Sequence, residues 1–182
     1  MAYRVKNNGG FNVDGSVGES GDNHSSDVML VQALFRMLYV DFGGETAWGD
    51  AEIFLEPPSG DAGPIAVDGI FGPSTRRHVY HFQNQLRMRL SYVDIKQDGL
   101  LDPGRFDGLG FGKRSTNGYR YAIEVLNALL ASQNTDALNR SVHYHTLPER
   151  DYVKPALRSA LKTVKTTPSK YMHRAPKPVF PP

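Results

Sequence analysis

The 182-residue sequence has no cysteine, which excludes disulfides, thiolate zinc sites and a cysteine nucleophile, and leaves the compartment open. No apolar run approaches the roughly 20 residues that a membrane-spanning helix needs, so no membrane span is expected. The first ten residues, Met1 to Gly10, are polar and Asn/Gly-rich, with no apolar core of the kind a secretory leader carries. The expectation is synthesis in the cytoplasm, with any export to the cell envelope by a signal-independent route. Acid is missing from the last part of the chain: Tyr152 to Pro182 holds seven bases (Lys154, Arg158, Lys162, Lys165, Lys170, Arg174 and Lys177) and no Asp or Glu. The remaining 14 of the 21 Lys and Arg face all 19 Asp and Glu, so the body carries −5 and the end is basic. Three readings of that end stand open: a docking segment for a partner or another copy, a segment drawn to an anionic polymer by nonspecific charge, or a plain soluble terminus. Its aromatics, Tyr152, Tyr171 and Phe180, are too sparse for a stacking platform, so no specific nucleic-acid partner is expected.

What is present reads as one ordinary soluble domain with extensions: 40% apolar and 22% charged residues, and enough chain to bury about 70% of its unfolded surface. Residues 1–26 form an irregular, Gly/Asn-rich leader with a short strand near Phe11 to Val13. Asp27 to Tyr39 reads as a first helix, with Ser25, Ser26 or Asp27 as its cap and Val28, Val31, Leu34, Phe35 and Leu38 on one face. Residues 41–64 are an inserted loop rich in Gly and Pro. A second helix starts at Pro73, whose preset φ suits the first helical position, and buries Val79, Phe82, Leu86 and Leu90. A third runs from about Asn117 to Ser132, with Ser115 or Thr116 as its cap. Residues 27–135 would be the domain and 136–182 a C-terminal extension, containing a short amphipathic helix from Pro155 to Val164 and a Pro-rich extended tail. The fold class is mainly α: a small three-helix bundle with short strand-like turns.

An Asp-Gly pair followed by two apolar residues occurs twice, as Asp68-Gly69-Ile70-Phe71 and Asp98-Gly99-Leu100-Leu101, with a fainter echo at Val13-Asp14-Gly15. Asp-Gly favours a tight turn, because Gly accepts positive φ and Asp bonds back to nearby backbone. The run Asp68-Gly69-Ile70-Phe71-Gly72-Pro73-Ser74-Thr75, then Val79 and Phe82-Gln83, resembles the signature of the peptidoglycan-binding-like domain family. The preceding helix is similar to that family's too, with Asp27-Val28, Val31-Gln32, Leu34 and Leu38. The leader Val17-Gly18, Gly21, Asn23 looks like the approach to a bacterial subset of these domains. Departures are the long gap from Leu38 to Asp68, the long gap from Gln83 to Asp98, and Pro103 where a Thr would follow the second turn. The resemblance spans about Val17 to Asp102 and implies noncatalytic binding of cell-wall glycan or its peptide stem. The alternative it leaves open is a protein-interaction, adaptor or structural part of a bacterial secretion or phage-like machine reusing the fold.

Phe71, Val79 and Phe82 fall at core spacing, and Asp68 and Gly69 read as turn formers. Arg76, Arg77, Tyr80 and Arg87 lie on the outward face of the second helix. There Tyr could stack on a sugar and Arg could pair with a peptide carboxylate, or the face could be merely solvated and basic. Together with Asp68 and Gln83 they form the candidate ligand-binding set, although Gln83 reads more readily as bonding to backbone at a loop than as touching a sugar. His78 and His81, with His143 and His145, are the residues a zinc hydrolase would use, yet no His-Glu-x-x-His is present and no acid flanks the later pair. Glu52, Glu56, Asp61, Glu149 and Asp151 offer carboxylates without a pairing pattern. Gly108 to Gly112 lacks the spacing of a phosphate loop. No enzyme, metal or cofactor is therefore expected, and a small wall hydrolase is the weakest of the three readings.

Overall fold

The first helix is apolar from Val28 to Phe35 save for Gln32, which places its middle at the centre of the fold rather than on its surface. In a computed structural model, which describes residues 1–6, 10–44, 54–58, 64–90, 94–105, 119–132 and 144–165, α1 (Ser25–Arg36) is continuously buried from Asp27 to Phe35. Strands β1 (Tyr3–Val5), β2 (Phe11–Asn12) and β3 (Val17–Gly18) precede it. Helix α2 (Pro73–Arg89), strand β4 (Leu100–Leu101), helix α3 (Ala122–Ser132), a 3-10 turn (Tyr144–Glu149), helix α4 (Pro155–Ala160) and strand β5 (Val164–Lys165) follow. Helices dominate these residues, and the strands are short.

The expected cap of α1 is not used. His24 holds the N-cap position without a side-chain bond, because Asp27 and Ser26 are turned elsewhere: Asp27 accepts from the Asp14 and Gly15 amides and Ser26 from the Ala2 amide. At its other end α1 runs into a π-helical turn, Met37–Asp41, closed by Phe42 N–H donating to the Met37 carbonyl at 3.0 Å. Gly43 and Gly44 then take φ of +61° and +74°. At Gly44 only glycine fits, since a Cβ would lie 1.8 Å from the Phe54 carbonyl oxygen. Helix α2 does begin with Pro73 at its first position, after an extended Gly72. Helix α3 starts at Ala122, later than the periodicity suggests, because Arg120 is drawn into a parallel bridge with Ile95. Its expected caps, Ser115 and Thr116, lie outside the described residues.

Two segments expected to flank the domain share its core. The leader 1–26 is no loose approach: β1 pairs antiparallel with β2 (Tyr3 opposite Asn12) and parallel with β5 (Arg4 opposite Val164). β3 pairs antiparallel with β4 (Val17 opposite Leu101). The extension 136–182 also enters the body, at least over 144–165. Ala2, Tyr3, Phe11, Tyr144, Leu147, Val153, Leu157 and Leu161 all belong to one apolar cluster with Leu30, Phe35, Phe82 and Leu126. Asn127 of α3 fastens these segments, accepting from the Phe11 amide at 2.8 Å, donating to the Phe11 carbonyl at 2.9 Å and accepting from the Tyr144 hydroxyl. Part of the insertion 41–64 is likewise structural: Phe54 is buried against Phe82, and the Leu55 carbonyl accepts from Gln85 at 2.9 Å. The Pro-rich tail from 166 onward lies outside the described residues.

Candidate functional site

The motif residues converge because each Asp-Gly turn is gripped from the core by a helix side chain. Gln32 of α1 accepts through Oε1 from the amides of Asp68 (3.0 Å) and Gly69 (2.9 Å). Its Nε2 faces Asp68 Oδ1 (2.9 Å), Thr75 Oγ1 (2.9 Å) and the Ile70 carbonyl (3.1 Å). Gln83 of α2 repeats the arrangement, with Oε1 accepting from the Gly99 amide (2.9 Å) and Nε2 donating to the Leu100 carbonyl (2.8 Å) and Asp98 Oδ1 (3.3 Å). Within each turn the aspartate accepts from the amide two residues on, Ile70 at 2.9 Å and Leu100 at 3.0 Å. The fainter echo is gripped as well, by the buried carboxylate of Asp27, and there Asp22 instead of Asp14 takes the Ser16 amide. Burial pushes the Asp27 carboxyl up, against the two backbone amides that pull it down. Burial also raises Asp68, but the Ile70 amide and the Gln32 side chain outweigh it and hold the carboxyl below its usual range.

Gln83 and Asp68 are thus scaffold, and the candidate ligand set divides. Arg76, Tyr80, Gln83 and Arg87 follow one stripe of α2: Gln83 is buried under the second Asp-Gly turn, Tyr80 is half-buried beside it, and Arg76 and Arg87 are exposed. Arg87 donates to Gln97 at 3.4 Å. The Tyr80 ring lies over Gly99, where a Cβ would come within 2.5 Å of the ring and φ is +71°. Beyond the turn, the two oxygens of Glu19 are shared: Oε1 pairs with Arg76 Nη2 at 2.9 Å and Oε2 accepts from the Tyr80 hydroxyl at 2.9 Å. The Arg76 guanidinium also stands 5.8 Å from the Tyr80 ring centre. The Glu19 carboxylate pushes the Tyr80 phenol upward. Arg77, one residue round the helix and half-buried, lies off this stripe. Compared with protein-family models, curated proteins and solved structures, the chain finds no match.

Glu19 escapes sequence reasoning because a single acid in a Gly-rich turn has no periodicity to mark it. Its backbone is nonetheless well set: the Asn23 side chain accepts from the Gly18 amide at 2.9 Å and donates to the Gly18 and Gly21 carbonyls. Gly18 itself passes so close to Gly99 that a Cβ would sit 2.1 Å from the Gly99 carbonyl oxygen. A second polar cluster lies on another side of α2. His78 is fully buried between Phe35 and Tyr39, with Nδ1 at 2.8 Å from the Ser74 carbonyl and Nε2 at 3.5 Å from Glu56. Because Nδ1 faces a carbonyl it must carry the proton, and burial holds the ring below its usual pKa. His81 bonds to the Leu55 carbonyl at 2.9 Å. Among the described residues no three of His, Asp and Glu gather where a metal could be held. His143, Glu52, Asp61 and Gly108 to Gly112 lie outside them.

Proposed function

We propose that this protein is a noncatalytic binder of bacterial cell-wall peptidoglycan, with the three-helix peptidoglycan-binding-like fold as its scaffold and the peptide stem as the part engaged. The observation that carries the reading is the Arg76–Tyr80 pair, which already holds a carboxylate at the edge of the motif scaffold. An Arg–carboxylate bond is charge-assisted, and a stem peptide ends in such a group. Of the positions behind the family resemblance, Gln32, Asp68, Gly69 and Thr75 form one hydrogen-bonded cluster, and Gln83 clasps the second turn separately. They therefore support the fold part of the reading and leave recognition to the side chains outside them.

The second reading, a protein-interaction component of a bacterial secretion or phage-like machine, draws on two large apolar side chains left in solvent around α2. Ile70, just before the helix, is 67% exposed and Met88, near its end, 74%. Sedimentation with insoluble sacculi separates the two. The comparison is the full chain with Lys170, Arg174 and Lys177 changed to Gln; truncation after Asp151 is unsuitable, because it removes Val153, Leu157 and Leu161 from the core. Salt-resistant binding by both forms supports wall recognition. Binding lost with salt or with the tail charges reduces to nonspecific attraction, and no binding by either form favours the protein-partner reading.

A further inference from the structure

The two gripped turns are copies of one unit, and their difference singles out a site. Aligning the sequences of α1 and α2 on their glutamines sets Val28 with Val79, Val31 with Phe82 and Phe35 with Leu86, all buried. The residues under the turn glycine then correspond as well. Gly69 sits on Ser25 and Met29, seven and three positions before Gln32, while Gly99 sits on Tyr80, three positions before Gln83. The position equivalent to Ser25 is Arg76. The scaffold is therefore satisfied by a serine and a methionine here, and α2 carries an arginine and a tyrosine instead, holding a carboxylate in a fork. The backbone beside Glu19 is held without its side chain, by Asn23 and by the β3–β4 pairing. Arg76 and Glu19 are about half exposed, at 54% and 49%.

We propose that Arg76 and Tyr80 form a carboxylate-binding site which Glu19 fills from within, and that the free C-terminal carboxylate of a peptide binds by displacing it. The choice of a stem peptide as the ligand rests on the wall-binding reading; the site itself rests on the geometry. Glu19 acts as a tethered competitor. An ion pair this exposed closes the site with an equilibrium constant of about 1 to 5, so removing it raises apparent affinity about two- to sixfold. The fold is not held by this pair, and Glu19→Ala should move Tm by less than about 4 °C.

The test titrates the full chain, wild type and Glu19→Ala, by NMR with an N-acetylated dipeptide bearing a free C-terminal carboxylate, and with its carboxamide. The expected result is tighter carboxylate binding by Glu19→Ala, shifts centred on Tyr80, no response to the carboxamide, and loss of binding when Arg76→Gln is added. Equal or weaker binding by Glu19→Ala, or a carboxamide that binds as well, overturns the inference. Sacculus sedimentation on the same two proteins keeps the readings apart. Sacculi bound by both, with no dipeptide response, sink the inference and leave wall binding standing. A carboxylate-dependent gain without sacculus binding keeps the site and sinks the wall reading.

Discussion

Removing the amide of Gln32 tests whether the first Asp-Gly turn is held from the core or by its own local geometry. The Gln32→Ala change leaves the amides of Asp68 and Gly69 without their acceptor, and strips a donor from Asp68 Oδ1, Thr75 Oγ1 and the Ile70 carbonyl. Two hydrogens on Nε2 serve three acceptors, so about four bonds are lost, not five. A neutral hydrogen bond contributes about 1 kcal/mol net, and a stranded buried donor such as the Gly69 amide costs about 1–3 kcal/mol. The expected loss is about 3–5 kcal/mol, a large share of the roughly 5–15 kcal/mol that holds a domain together. In a chain of this length it lowers Tm by between about 6 and 20 °C.

Urea unfolding at neutral pH should show a lower midpoint with an unchanged slope. Gln32→Glu sharpens the test, because it keeps the acceptor and replaces the donor with an oxygen facing Asp68 across the 2.9 Å contact. It should be at least as damaging as alanine at pH 7 and recover in part in acid, as the introduced carboxyl regains a proton to donate. Asp68 itself has its folded pKa below the unfolded value near 3.9, so its share of stability is full above that pH and fades as pH falls through the folded value. Gln32→Ala within about 1 kcal/mol of wild type would refute the reasoning and leave the turn held by Gly69 and Asp68 alone.

Four further outcomes can be checked with the same unfolding measurements, ring resonances added where named. His78 has its pKa lowered by burial, so the unfolded chain binds more protons and stability falls as pH drops below about 6.5; His78→Asn, which can keep a donor toward the Ser74 carbonyl, should flatten the dependence of Tm on pH between about 5 and 6.5. Gly69→Ala forces a φ of +82° and a contact of 2.4 Å with Ser25 Oγ, costing at least about 2 kcal/mol in urea melts. For Gly99→Ala the nearest atoms belong to the Tyr80 ring and φ is +71°, so its signature is a shift of the Tyr80 ring resonances with a stability loss of about 1–2 kcal/mol. Tyr152→Phe removes a 2.7 Å bond to Asp41 and should cost about 1.5–3 kcal/mol, read as a lower urea midpoint.

The helices were legible because their signals are local. Pro73 starts α2 where proline belongs, and the spacing of Val79, Phe82 and Leu86 marks its buried side. The segments at the two ends of the chain were not legible, since their structure comes from distant partners: Phe11 is buried by Asn127 and Tyr144, and β1 by a strand that follows α4. No window of sequence contains both halves of such a pair. The helix caps failed for a related reason. Asp27 has the chemistry of an N-cap, but the Asp14 and Gly15 amides compete for the same oxygens and win, because they would otherwise be stranded in the core.

The site was half legible, and the repeat explains why. A backbone bond from Gln83 to a loop was legible, but reading Gln32 and Gln83 as matching turn clasps requires seeing that each faces its own Asp-Gly pair in the fold. Once the two units are aligned, the scaffold accounts for every shared feature: the glutamine, the aspartate, the positive-φ glycine and the apolar face. It does not account for Arg76 and Tyr80, because Ser25 and Met29 meet the same steric demand beneath Gly69. A folding requirement met by a small or apolar residue in one copy cannot be what selects a charged and an aromatic one in the other. Their choice answers instead to something outside the turn, and the group the structure places against them is a carboxylate.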